Sequence, residues 1–162
     1  MTKRIIYPNS ESPYNVIIVC PAFNSIDRTE EDTDEDCLAL ALYRLKTTGR
    51  IKEDTPYKIV EDSELPTDHR YFNAWRYDDG VYIDMEEARS LHMQFIREAR
   101  DRVLEDLDNQ SLRAFENDDS QTLTALKVRK AILRDLPQTF SLYTPNDTIE
   151  ELSALWPEEL TI

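Results

Sequence analysis

Two histidines, two cysteines and a long run of carboxylates are the side chains in this sequence with chemistry open to them. His69 and His92 could serve as general bases or metal ligands. A zinc site needs three or four nitrogen and sulfur ligands, and with Cys20 and Cys37 scattered along the chain none is expected. His92 falls on an apolar helical face with no acidic or histidine partner three or four residues away, so a hydrogen-bonded structural histidine is expected. His69 stands in a polar loop beside Arg70 and Tyr71 and should be solvated. The two cysteines read as buried free thiols of a protein made in a reducing cytoplasm, with a disulfide between them open but not indicated.

The carboxylates form two groups. Asp27 to Asp36 is the denser, with Asp27, Glu30, Glu31, Asp32, Asp34 and Glu35 set against the single Arg28. An EF-hand loop needs a central glycine and alternating oxygen ligands, and neither is present. The segment therefore reads as a helix entry favoured by the helix dipole, and as a docking surface for a basic partner. The second group, Glu98, Asp101, Glu105 and Asp108, alternates with Arg97, Arg100 and Arg102, as a solvated helix face does. Both groups are candidate partner-binding residues. Catalytic residues, metals and cofactors are not expected.

Charge sets the class of partner. The net charge of −14 repels a nucleic-acid backbone or an anionic membrane and suits basic protein surfaces. No apolar run is long enough to span a bilayer. The two glycines exclude a phosphate-binding loop: Gly49 suits a helix C-terminus, and Asp79-Gly80 suits a two-residue type I′ hairpin turn.

The elements that would carry these residues follow from periodicity. Lys3–Tyr7 and Tyr14–Cys20 read as strands of a hairpin, the second covered on both faces. A helix follows from an N-cap at Thr33 to about Thr47. A third strand runs over Tyr57–Val60, and Tyr71–Tyr77 with Val81–Ile83 forms a second hairpin whose aromatic residues, Trp75 foremost, belong to the core. From Asp84, the residues Ala88, Leu91, His92, Phe95, Ala99, Val103 and Leu107 trace one helical face. Leu123, Leu126, Val128, Ile132, Leu133 and Leu136 trace another, capped at Asp119 or Ser120 and stopped by Pro137. The short connection makes them an antiparallel pair, with Leu91, Phe95, Ala99, Val128 and Ile132 in its core. Thr148 should cap a short helix, and Trp156-Pro157 should fold back. The expected fold is α+β: a small N-terminal mixed sheet with one helix over residues 1–83, then a long helical hairpin and a short C-terminal helix over 84–162.

Arg129-Lys130-x-x-Leu133-Arg134-Asp135-Leu136-Pro137, followed by Trp156-Pro157, resembles the C-terminal pattern of small tailed-phage tail assembly proteins. In those, an R-x-x-L-R-D-[IVL]-P helix end leads to a closing W-P. Pro56-Tyr57-Lys58-Ile59-Val60, Phe72-Asn73-Ala74-Trp75 and Ala88-Arg89-Ser90-Leu91-His92 are similar to segments of uncharacterised phage and prophage proteins. The resemblance spans residues 56–157. It implies a non-enzymatic structural or assembly role in a tail, neck or related virion part. The partners would be other virion or assembly proteins, and the protein could form a symmetric oligomer in the particle. The acidic helix entry and Asn146-Asp147 depart from the pattern, which leaves a virion component and an assembly chaperone both open. The competing reading is an acidic, DNA-mimicking inhibitor of a host nucleic-acid-binding protein.

Overall fold

The computed structural model describes residues 3–9, 15–21, 33–145 and 147–161. The fold is α+β and divides into two compact units, Met1–Asp84 and Met85–Ile162.

The first unit is built on a three-stranded sheet in the order β2-β1-β3, with β1 over Lys3–Pro8, β2 over Val16–Val19 and β3 over Lys58–Glu61. The expected mixed sheet is corrected: both pairings are antiparallel, with Ile6 opposite Ile18 on one side and Arg4 opposite Val60 on the other. Alternation along β1 divides its side chains between two cores. Ile5 and Tyr7 pack with Leu38, Leu45 and Ile51, while Ile6 packs with Val16, Val60 and Trp75. The central strand is therefore covered on both faces. β2 divides in the same way, Ile17 and Val19 toward the first cluster and Val16 and Ile18 toward the second.

Helix α1, Asp34–Thr47, supplies one cover. Its capping box is reciprocal: the Asp36 amide donates to Thr33 Oγ1 at 3.2 Å, and the Thr33 amide donates to Asp36 Oδ2 at 2.9 Å. At the other end Gly49 takes a φ of 72°, and the Arg50 and Ile51 amides return to the Leu45 carbonyl. The hairpin of β4, Trp75–Tyr77, and β5, Val81–Ile83, supplies the second cover.

Here the structure departs from expectation twice. Tyr71 to Ala74 is a 3-10 turn instead of strand, because Asp68 caps it through the Arg70 amide and drives Tyr71 and Ala74 inward. The hairpin loop is also not a type I′ turn. Pairing Tyr77 with Val81 leaves Asp78, Asp79 and Gly80 between the strands, and the left-handed residue is Asp79, with a φ of 45°. Lys58 Nζ donates to the Asp79 carbonyl at 2.7 Å and helps hold that conformation.

The second unit is a helical hairpin with a closing tail. Helix α2 runs over Met85–Glu116 and α3 over Ser120–Thr139. At about 1.5 Å per residue, the 32 residues of α2 span about 48 Å. Asp119 caps α3, its Oδ1 accepting from the Thr122 amide at 2.9 Å. Pro137 does not stop the helix. It removes one donor, yet the Phe140 amide still reaches the Leu136 carbonyl, and the Thr139 hydroxyl donates to the carbonyls of Asp135 and Leu136. Helix α4, Ile149–Ala154, is capped by Thr148, and Leu152, Pro157 and Leu160 are buried.

Candidate functional site

His92 is 1% exposed, and its Nε2 lies 2.7 Å from the Leu155 carbonyl oxygen. A carbonyl only accepts, so Nε2 carries the hydrogen. Its ring meets Phe95 and Trp156 edge to face, with centroids 6.3 and 6.1 Å away. This histidine ties the C-terminal tail to α2, and that nitrogen is committed. Arg89 does the same from the preceding turn, pairing with Asp147 and lying over the Tyr143 ring. His69 is exposed, as expected of a loop residue, and stacks on Trp75 at 5.3 Å. The cysteines are free, but the expected burial is corrected: Cys20, just past the end of β2, is exposed, and Cys37 is half-buried.

Among the described residues no group of three or more histidines, cysteines or acids is placed to hold a metal, and no helix is long and apolar enough to cross a membrane. One open cavity of about 460 Å³ is lined by Lys46, Gly49, Ile51, Lys52, Glu53, Thr55 and Tyr57. Lys46 lies 5.1 Å over the Tyr57 ring there. The lining holds two lysines and a carboxylate but no serine, cysteine or histidine that could act as a nucleophile or imidazole base.

The sequence-derived contact residues fall into three places. Asp27, Glu30, Glu31 and Asp32 lie outside the described residues. Asp34 and Glu35 occupy the exposed first turn of α1, where their charge meets the positive end of the dipole. Glu98, Asp101, Glu105 and Asp108 are exposed along α2. Two of these four are paired within the chain. Asp101 meets Arg100 at 2.7 Å, and Asp108 meets Lys130 at 2.7 Å. The Lys130 hydrogen bond holds the Asp108 carboxyl below its usual range. That partial neutralisation breaks up the evenly spaced charge that a phosphate mimic needs.

Val128 and Ile132 were expected in the hairpin core but are 58% and 50% exposed. The helix turns Leu126, Lys130 and Leu133 toward α2, with Leu126 and Leu133 buried and Lys130 reaching Asp108 and Ser111. At 3.6 residues per turn Val128 then points away from α2, and Ala125 and Ile132 lie on the flank between it and the buried Leu136. The apolar arc of α3 is wider than its seam with α2, and among the described residues its Val128 and Ile132 side is left exposed. Near the distal end of α2, Leu112 and Phe115 are also exposed, at 58% and 70%. The signal was in the sequence: six apolar residues between 123 and 136 span too much of the helix circumference for one seam.

No family model matches this chain, and no curated protein or solved structure matches it significantly.

Proposed function

We propose that this chain works through protein–protein contact, with the helical hairpin as its contact element, as a non-catalytic structural or assembly component of a tailed-phage particle. The observation that carries the contact reading is the exposed side of the apolar arc of α3. Val128 and Ile132 stand in solvent on a well-formed helix whose other face is already buried against α2. Exposed apolar residues grouped on one face favour a partner, because covering them contributes roughly 25 cal/mol per Å². The phage setting rests on the resemblance of Leu133-Arg134-Asp135-Leu136-Pro137 and Trp156-Pro157 to the tail assembly pattern. The protein would be made in the host cytoplasm and meet its virion partners there.

Deletion of the gene, with mass spectrometry of purified particles, tests the reading. Presence in particles, or loss of particle yield on deletion, is expected. Absence from particles together with unchanged yield would overturn the setting. Val128→Glu with Ile132→Glu should reproduce the deletion if the α3 face is the contact.

A further inference from the structure

We propose that the outer edge of β3 takes a further strand from a partner protein: an extended segment that pairs antiparallel with Tyr57 and Ile59 and sets acidic side chains against Lys46 and Lys52. The site lies in the first unit and does not rest on the α3 contact.

The register leaves the backbone of that edge open. The Asn9 amide donates to the Asn15 carbonyl at 2.8 Å, so Asn9, Tyr7 and Ile5 bond toward β2, and Arg4 and Ile6 bond toward β3. On β3, Lys58 and Val60 are therefore bonded to β1, and the amides and carbonyls of Tyr57 and Ile59 face away from the sheet. Glu61 shows the same orientation. Its amide donates outward to Glu64 Oε2 at 2.6 Å, which closes that end of the edge. Pro56 has no amide hydrogen and closes the other end. Among the described residues no strand pairs with the stretch between them. The opposite edge of the sheet, β2, is already bridged to the second hairpin, Asn15 against Arg76.

Side chains select the occupant. Open edges are commonly blunted by charge or proline, but Ile59 and Tyr57 are apolar and 44% and 38% exposed, and the Lys58 side chain is drawn to Asp79. Ile59 lies opposite Ile5, on the face that α1 covers, and Lys46 of α1 lies over the Tyr57 ring. The open cavity of about 460 Å³ begins at Tyr57 and brings Lys46 and Lys52 to that end of β3, with Glu53 as the carboxylate in its lining. In this unit Arg4, Lys58, Arg70 and Arg76 are each matched to a carboxylate. Lys46 and Lys52 make no ion pair among the described residues, in a chain of net charge −14. An antiparallel strand runs toward that end. Its residue opposite Ile59 is followed two positions later by one opposite Tyr57, on the same face as Lys46. Acids there and two positions beyond meet the lysines. The backbone bonds supply affinity, and the charges fix direction and selectivity.

The test uses the full-length chain and a fluorescent, C-terminally amidated peptide, Val-Thr-Val-Thr-Glu-Thr-Glu, read by anisotropy. Binding is expected, and it should weaken as salt rises from ~0.1 M to ~1 M. N-methylation of the third and fifth residues, whose amides meet Ile59 and Tyr57, should cost ~10-fold or more in affinity. N-methylation of the second and fourth should leave affinity close to unchanged, because those amides face away from β3. Ile59→Pro removes the outward donor while leaving the ladder to β1, so it should lose binding to the same extent and melt near wild type. If that variant fails to fold, the methylated peptides decide. Lys46→Glu with Lys52→Glu should lose ~10-fold for this peptide and gain affinity for its counterpart with lysine in place of glutamate. No binding, equal binding of the two methylated peptides, or equal binding of the glutamate and lysine peptides by the wild type overturns the proposal. So does a concentration-dependent dimer that Ile59→Pro abolishes, because the edge then belongs to a second copy of this chain.

Discussion

Replacing His92 should release the C-terminal tail while leaving the first unit intact. Its Nε2–H donates to the Leu155 carbonyl at 2.7 Å from a side chain with 1% of its surface exposed. His92→Leu keeps most of the volume and removes the donor, so the lost hydrogen bond and the poorly satisfied carbonyl should cost about 1–2 kcal/mol. His92→Ala adds a cavity among Phe95, Trp156 and the α4 connection, bringing the cost to about 3–4 kcal/mol. His92→Gln can place a donor at similar reach and should fall between wild type and the leucine variant. A cost of 1–2 kcal/mol raises an open population by ~5–30-fold. Hydrogen exchange of amides over Ile149–Leu160 should accelerate by about that factor in His92→Leu, while exchange in α1 and β1 stays unchanged. Wild-type exchange in the leucine variant would refute the hydrogen-bond argument. Equal acceleration in both units would refute the assignment of His92 to the tail alone.

Two further outcomes follow from the structure. Gly49→Ala should lower stability by about 1 kcal/mol through backbone strain alone, because φ is 72° and an added Cβ would meet nothing within 4 Å; a thermal melt reads it as a drop of a few degrees. Acid should weaken the fold through three carboxyls held below the usual carboxylate range: Asp68 by the Arg70 hydrogen bond, Asp108 by Lys130 and Asp119 by Thr122. Each has a folded pKa below its unfolded value, so its contribution is complete above the unfolded pKa and is lost as pH falls through the folded one. The urea midpoint should drop on going below pH ~4, and Asp68→Asn with Asp119→Asn should flatten that drop.

Features fixed within three or four residues were legible in the sequence. Thr33 with Asp36, Asp119 with Thr122, and Thr148 with Glu151 mark helix starts because capping is a contact between near neighbours. The two strands of the first hairpin, the two long helices and the structural role of His92 were legible for the same reason, from periodicity alone. Features set by distant contacts were not. The pattern at Tyr71–Ala74 resembles strand, but Asp68 and the buried Tyr71 select a 3-10 turn. Cys20 reads as apolar and buried, yet it falls past the last sheet pairing and is exposed.

Residue types and spacing alone marked the charged face of α2, because alternating charges at helical spacing belong to a solvated surface. Only tertiary structure decided which face of α3 is covered. Periodicity identifies an apolar arc but not how much of it a neighbour covers, and the arc of α3 is wider than one seam. The seam goes to Leu126 and Leu133, which are buried as Leu107 and Ala114 of α2 are, and Val128 and Ile132 are left exposed because a helix can turn only one side to its neighbour.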